Sequence, residues 1–112
     1  MAKYRFVVFT EARPGQEDEF NAWYDGRHLA DVLKAPGITS AQRFERVDLE
    51  GEAPRLLRYL AIYEMDTDQP HEVVAELRRR VGTPQMPRSD ALDLDQRVTH
   101  VYRVLAEPVT AG

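Results

Sequence analysis

The order of the predicted secondary-structure elements constrains this chain more than any other feature. Segments rich in aromatic and β-branched residues, which are typical of strands, alternate with two segments of helical periodicity. The sequence predicts strands at residues 4–9, 38–47, 56–65 and 97–105, and helices at residues 16–35 and 70–81. This strand–helix–strand–strand–helix–strand order is typical of a ferredoxin-like α+β sandwich, in which an antiparallel sheet carries both helices on one face.

Two local features modify this pattern. Gly26 lies in the middle of the first predicted helix, so we expect a kink or a restart near Arg27 and His28. Residues 50–54 are predicted to form a polar loop. Residues 83–94 have no regular pattern, and a loop of about a dozen residues in a compact domain is often a lid or a binding loop.

Length and composition limit the kind of protein. The 112 residues support one domain, residues 1–112, which would bury roughly two-thirds of the surface that the unfolded chain exposes. The absence of cysteine excludes a disulfide scaffold, a thiolate metal site and a cysteine nucleophile. We therefore expect a single domain with an ordinary hydrophobic core.

Charge and hydropathy argue against two classes of partner. Fifteen basic and nineteen acidic residues give a net charge of −4, whereas nucleic acids and anionic membranes bind basic surfaces. No stretch of about 18 apolar residues could span a bilayer, and no signal-peptide pattern is present, so we expect a cytoplasmic protein. The basic run Arg78-Arg79-Arg80 is interpreted as a solvated face that complements the helix dipole, not as an anion site.

Both faces of the predicted sheet carry apolar side chains. In the third strand Tyr59, Ala61 and Tyr63 alternate with Leu60 and Ile62. Two helices cover only one face, so a lone domain would leave an apolar face in water. We therefore expect a homodimer that forms through the free face of the sheet.

The aromatic residues of the first helix carry a resemblance to a known family. Together with the element order, the motifs Phe20-x-x-Trp23-Tyr24-x-x-x-His28 and Pro36-Gly37-x-x-x-x-Arg43-Phe44 resemble the dimeric α+β barrel superfamily. The helix motif is most similar to EthD-type proteins. The resemblance implies a dimeric barrel over nearly the whole chain, but it implies no single reaction, because the superfamily is diverse in its chemistry.

His28 is the candidate acid/base. It lies four residues after Tyr24 and eight after Phe20, on one face of the helix. Asp31 shares that face, and a carboxylate at this spacing can accept from the imidazole and fix its tautomer. The resemblance implies that the histidine lies at a cleft between helix and sheet. The alternative is a structural histidine that caps the helix or packs against Trp23.

A pocket with aromatic walls is expected beside His28, and such a pocket suits a small aromatic or apolar metabolite. His100, on the last strand, could face His28 across this cavity, or it could be a satisfied core or interface residue. Buried tyrosines, likewise, could serve only to fill the core. The predicted ligand-contacting residues are Phe20, Trp23, Tyr24, Tyr63, Met86, His100 and Tyr102.

The sequence predicts no cofactor and no metal. It has no Gly-rich phosphate loop and no dinucleotide motif, and the helix motif does not resemble that of the haem-binding branches of the superfamily. The predicted function is a cofactor-free acid/base enzyme, an isomerase, lyase or cyclase, in which His28 transfers the proton and Asp31 orients it. The alternatives are a non-catalytic small-molecule-binding or accessory protein, and a cofactor-free monooxygenase.

Overall fold

The computed structural model describes residues 3–49 and 57–112. The predicted loop at residues 50–54 lies outside this part of the chain, as does residue 56. Residues 17–33 form one continuous helix with a π-helical turn at its centre, which we call the first helix. In chain order the elements are β1 (Lys3–Thr10), α1 (Glu17–Trp23), the π-helical turn (Tyr24–His28), α2 (Leu29–Leu33), β2 (Ile38–Glu45), β3 (Tyr59–Asp66), α3 (Pro70–Arg80) and β4 (Val98–Arg103).

The four strands form one antiparallel sheet in the order β2-β3-β1-β4. With β1 and β3 at the centre and two helical segments between the strands, this is the ferredoxin-like topology, so the predicted fold class is confirmed. Within the described residues, no helix has the length and apolar character needed to cross a bilayer.

The core lies between the helices and one face of the sheet, which we call the inner face. The period of two places Phe6 opposite Tyr63 and Val8 opposite Ala61 on this face. Residues of the first helix and of α3 pack against it. The buried residues of this cluster on the helices and central strands include Phe6, Phe20, Tyr24, Val32, Tyr59, Ala61, Tyr63, Met65, Val73, Val74 and Leu77.

A glycine joins the first helix to the sheet where the chain passes close to α3. Gly37 has a φ of +96°, and a Cβ built on it would lie 2.8 Å from Cγ2 of Val73. Only glycine satisfies both the left-handed backbone and the close approach. The predicted stop at residues 36–37 is therefore also a packing contact between the two helical segments.

The opposite face of the sheet, which we call the outer face, is also apolar. The register places Val7, Leu60, Ile62 and Val98 on it. Both helical segments pack on the inner face, and side chains of the outer face such as Val98 and Tyr102 are 44% and 55% exposed.

The long irregular segment is tied to the rest of the fold. Leu92 forms an isolated bridge with Ala12, and the Arg13 amide donates to the carbonyl of Ala91 at 2.7 Å. Met86 is bridged to Val81 at the end of α3. The segment after α3 is thus held against the core at both ends, which places Met86 beside the sheet.

Candidate functional site

A π-helical turn brings two aromatic rings together at the centre of the first helix. The turn spans Tyr24–His28, at the position where Gly26 predicts a break. The rings of Tyr24 and His28 meet edge to face, with centroids 4.9 Å apart. Trp23 stacks on the imidazole at 4.5 Å. The imidazole is therefore held by two rings, in a type of turn that often occurs at functional sites.

His28 and Tyr24 line a cavity of about 390 Å³ between the helical segments and the inner face of the sheet. That volume lies in the range of small-molecule sites. The deep side of the cavity is apolar and aromatic, whereas three arginines line its solvent-exposed side. The lining residues are Phe6, Val8, Tyr24, His28, Val32, Tyr63, Leu77, Arg78, Val81, Met86, Arg88, Arg97 and Thr99.

The imidazole of His28 is neutral at pH 7. Burial lowers its pKa from 6.5 to about 4, against the opposing attraction of Asp31 and with a small further lowering by Arg43. Its Nδ1 is buried and has no hydrogen-bond partner among the described residues. A general acid/base works best with a pKa near the working pH, whereas a neutral imidazole with a free nitrogen is the form that binds a metal.

Asp31 does not form the predicted hydrogen bond to His28. Its carboxylate is almost fully buried and accepts from Nε of Arg27 at 2.9 Å, with Nζ of Lys34 at 3.8 Å. Two cations on the same helix surface are stronger partners for a carboxylate than a neutral imidazole is. Asp31 therefore leaves Nδ1 of His28 free and affects the imidazole only through its charge.

Two buried tyrosine hydroxyls lie together in the cavity wall. The hydroxyl oxygens of Tyr24 and Tyr63 are 3.1 Å apart. Burial raises the pKa of Tyr24, and burial together with the neighbouring Tyr24 raises that of Tyr63 well above 10. Both hydroxyls stay protonated. One of the two protons forms the hydrogen bond within the pair, and the other is free to be donated to a ligand.

Arg43 supports this pair from the side of the sheet. Its guanidinium lies 4.4 Å from the centre of the Tyr24 ring. It donates to Oδ1 of Asp25 and to Oδ1 of Asn21, each at 2.8 Å. Arg43 belongs to the sequence motif, but its packing on Tyr24 depends on strand pairing and was not predicted.

The structure places some predicted ligand-contacting residues behind the cavity wall. Phe20 is fully buried against Tyr24 and Tyr59 and does not line the cavity. Trp23 stacks on His28, and its Nε1 donates to the carbonyl of Pro87 at 3.2 Å. Both residues therefore pack behind the residues that line the cavity, and neither is placed to contact a ligand directly.

Two further predicted residues lie on the other side of the sheet. His100 pairs with Val7 and Tyr102 pairs with Arg5, which places both side chains on the outer face. Strand alternation gives the inner face to Thr99, which does line the cavity. Of the two alternatives for His100, the strand register excludes the one in which it faces His28 across the cavity. Tyr63 and Met86 do lie in the cavity wall with Tyr24 and His28.

Three arginines of the cavity were missed by sequence reasoning. Arg78 was interpreted as part of a solvated run, yet only Arg79 and Arg80 pair with Glu76. Arg78 lies four residues after Val74, which is buried, so the two side chains share one face of the helix. This spacing could have indicated that Arg78 lies near the core. Nothing in the sequence separates the other two, Arg88 and Arg97, from solvated arginines.

The residues described form no group of three or more His, Asp or Glu side chains that could hold a bare metal ion. His28 and His100 lie on opposite faces of the sheet, and Asp31 is engaged by Arg27 and Lys34.

Solved structures of other proteins share this fold. The heme degrader MhuD of Mycobacterium tuberculosis, solved with two hemes bound in its active site, is 17% identical, with a TM-score of 0.64, and the match covers 95% of this chain and 99% of that chain. A "putative monooxygenase" of Shewanella loihica is 14% identical, with a TM-score of 0.61 and coverage of 96% and 99%. An EthD family protein of Bacillus halodurans is 15% identical, with a TM-score of 0.57 and coverage of 97% and 100%. No protein-family model matches this chain, and no curated protein matches its sequence.

These structures confirm one prediction and contradict another. The resemblance to dimeric α+β barrel and EthD-type proteins is confirmed as a likeness of fold. The prediction of a cofactor-free acid/base enzyme is wrong, because the structures of this fold include a heme degrader and a protein described as a monooxygenase. The low pKa of His28 agrees with this correction, since it removes the intended acid/base from the neutral range.

Proposed function

We propose that this protein is an oxygenase that holds a haem-type tetrapyrrole in the cavity beside His28. One observation carries the proposal: a neutral imidazole with a free, buried Nδ1 lies in the wall of an apolar and aromatic cavity. Iron binds imidazole in its neutral form. The likeness of fold to a protein solved with heme in its active site is additional support.

The residues of the cavity fit such a group. His28 would ligate the iron of such a group, and the ring contacts of Trp23 and Tyr24 would fix the orientation of the imidazole, as partners of a ligating histidine do. Bound haem would supply the iron that activates dioxygen. The apolar residues that would contact the macrocycle are Phe6, Val8, Val32, Leu77, Val81 and Met86.

The protein's own part in the reaction would be binding, orientation and the exclusion of water. The Tyr24 and Tyr63 pair has one hydroxyl proton to donate to an oxygen of the bound molecule, and the raised pKa values keep that proton in place. Met86, which is 1% exposed, closes the cavity wall from the segment that follows α3. An enclosed apolar wall favours reaction of the ligand over loss of intermediates to water.

We also propose that the single domain of residues 1–112 forms a homodimer through the outer face and acts in the cytoplasm. The exposed apolar side chains of the outer face support the dimer, because an isolated chain would leave them in water. An EthD family protein shares the fold, and the resemblance to dimeric α+β barrel proteins also implies a dimer.

The test is a titration of the purified protein with ferric haem. We expect a saturable shift of the Soret band and quenching of the fluorescence of Trp23, the only tryptophan of the chain. His28→Phe keeps an aromatic ring in the stack but removes the ligand, so it should weaken haem binding at least tenfold and alter the band. Addition of ascorbate and air to the loaded protein should then bleach the Soret band, and more slowly in His28→Phe.

A matched control is His71→Phe, because His71 is an exposed histidine at the start of α3. It should bind haem as the unchanged protein does. Equal losses in His28→Phe and His71→Phe, or a titration that never saturates, would contradict the proposal.

A further inference from the structure

The arginines of this chain divide into two groups by their contacts. Most of those described are engaged by carboxylates or carbonyl oxygens, such as Arg27 with Asp31. In four, the guanidinium group forms no hydrogen bond or ion pair with any residue in the parts 3–49 and 57–112. These four are Arg78, Arg88, Arg97 and Arg103, and the first three line the cavity beside His28. We call these three the arginine rim.

The arginine rim is built from three separate parts of the fold. Arg78 is on α3, Arg88 is in the segment that follows it, and Arg97 directly precedes β4. All three are exposed, whereas Tyr63 and Met86 of the same cavity are buried. The cavity therefore has an apolar deep side and a cationic mouth.

Three guanidinium groups without a carboxylate partner create a local excess of positive charge at the mouth of the cavity. Like charges within one site repel one another, and the chain as a whole is acidic, with a net charge of −4. The dipole at the end of α3 favours Arg78 alone and gives no reason for Arg88 or Arg97. The planar fork of arginine matches a carboxylate in geometry and in charge.

We propose that the ligand of this cavity is an amphiphilic aromatic polycarboxylate, with its rings against the deep side and its carboxylates at the arginine rim. This inference rests on the proposed function, since it concerns the same cavity, and it adds the class of ligand: a flat apolar body with at least two carboxylates at one edge or end. Neutral aromatic molecules of the same shape should bind more weakly, because they gain no attraction from the three guanidinium groups.

The test uses a pair of small probes that share one ring system and differ in charge. Isothermal titration calorimetry of the full chain measures the affinity for naphthalene-2,3-dicarboxylate, whose two carboxylates lie at one end of the ring system, and for its uncharged dimethyl ester. We expect the dianion to bind at least tenfold more tightly than the ester at low salt. This preference should shrink as salt is raised, because charges at an exposed rim are screened.

Charge-neutralising variants test which arginines cause the preference for the dianion. Arg78→Gln, Arg88→Gln and Arg97→Gln should each weaken binding of the dianion about five- to tenfold, and leave binding of the ester within about twofold. The matched control is Arg103→Gln. Arg103 lies at the other end of β4 from Arg97 and is also exposed and unpaired, but it does not line the cavity. Its substitution should change neither affinity by more than about twofold.

Several outcomes overturn the inference. The ester could bind as tightly as the dianion, Arg103→Gln could weaken the dianion as much as Arg97→Gln does, or neither probe could bind at millimolar concentration. The proposed function fails separately. If haem binding does not depend on His28 but the dianion preference requires the arginine rim, the oxygenase is refuted and the anionic ligand class stands.

Discussion

At the scale of single residues, the charge state of His28 makes stability depend on pH. Its pKa is about 4 in the folded chain and near 6.5 when unfolded, so below pH 6.5 the unfolded state takes up a proton that the folded state does not. This residue therefore lowers the free energy of unfolding as the pH falls from 6.5 to about 4, by about 3 kcal/mol. Below that range its effect is constant.

The substitution His28→Phe removes this titration and should flatten the dependence. Urea unfolding at pH 7, 5.5 and 4.5 measures the free energy of unfolding of both proteins. The variant should become more stable relative to the unchanged chain as the pH falls. His71→Phe is the control, since His71 is exposed at the start of α3, and it should preserve the original slope. A slope that His28→Phe leaves intact would show that other groups cause the loss.

The site was predictable where one helix carries it and unpredictable where several elements meet. The spacing of Tyr24 and His28 along one helix predicted their contact. The partner of Asp31 could not be predicted from spacing, because Arg27 and His28 were both within reach and charge decided between them. The roles of Arg88 and Arg97 depend on where an irregular segment lies, which no local pattern encodes.

At the scale of elements, Gly37 allows the chain that follows the first helix to pass close to α3. Replacement by alanine imposes a side chain on a φ of +96° and places its Cβ 2.8 Å from Cγ2 of Val73. We expect Gly37→Ala to lower the free energy of unfolding by about 2–4 kcal/mol, from backbone strain and overpacking together. Urea unfolding at pH 7 measures the loss.

Gly15 provides a matched control for the contact. It also has a positive φ, +79°, but a Cβ there would meet nothing within 4 Å. Gly15→Ala should therefore lower the free energy of unfolding through backbone strain alone, by about 1–2 kcal/mol. Adding Val73→Ala to Gly37→Ala should recover part of the clash energy. If Gly37→Ala costs no more than Gly15→Ala, the contact with Val73 is not a constraint on the fold.

The first helix also shows how far element prediction reaches. Gly26 predicted an interruption near His28, and the structure has one, but as a π-helical turn and not as a kink or restart. A glycine lowers the stability of a helix, but it does not determine which irregular geometry the helix adopts. Tyr24, the first residue of this turn, contacts Phe20 on the same helix and Tyr63 on β3, and the second contact involves a strand that the local sequence does not contain.

At the scale of the whole molecule, the order of elements predicted the topology because few antiparallel arrangements connect these six segments without crossing. The strand register then follows from the apolar alternation, as in the pairing of Phe6 with Tyr63. Function did not follow from topology. Members of one fold differ in the residues of their cavities, so a neutral histidine and a cationic mouth carry information that the fold alone does not.

The proposed dimer gives a prediction at this scale. Val98 lies on the outer face at the sheet edge and is 44% exposed, so glutamate there can be solvated in a single chain but not in an apolar interface. We expect light scattering after size exclusion to give the mass of two chains for the unchanged protein and of one chain for Val98→Glu. The far-ultraviolet circular dichroism of the two should be the same, because the core lies on the inner face.

Val109→Glu separates the interface from a general effect of charge. Val109 is 98% exposed and lies beyond β4, so the same change there should leave the dimer intact. If Val98→Glu also remains a dimer, the chains associate through another surface and the outer face needs a different explanation. If the unchanged chain is a monomer, its outer face is apolar for a reason other than self-association, and the cavity beside His28 must then be complete within one chain.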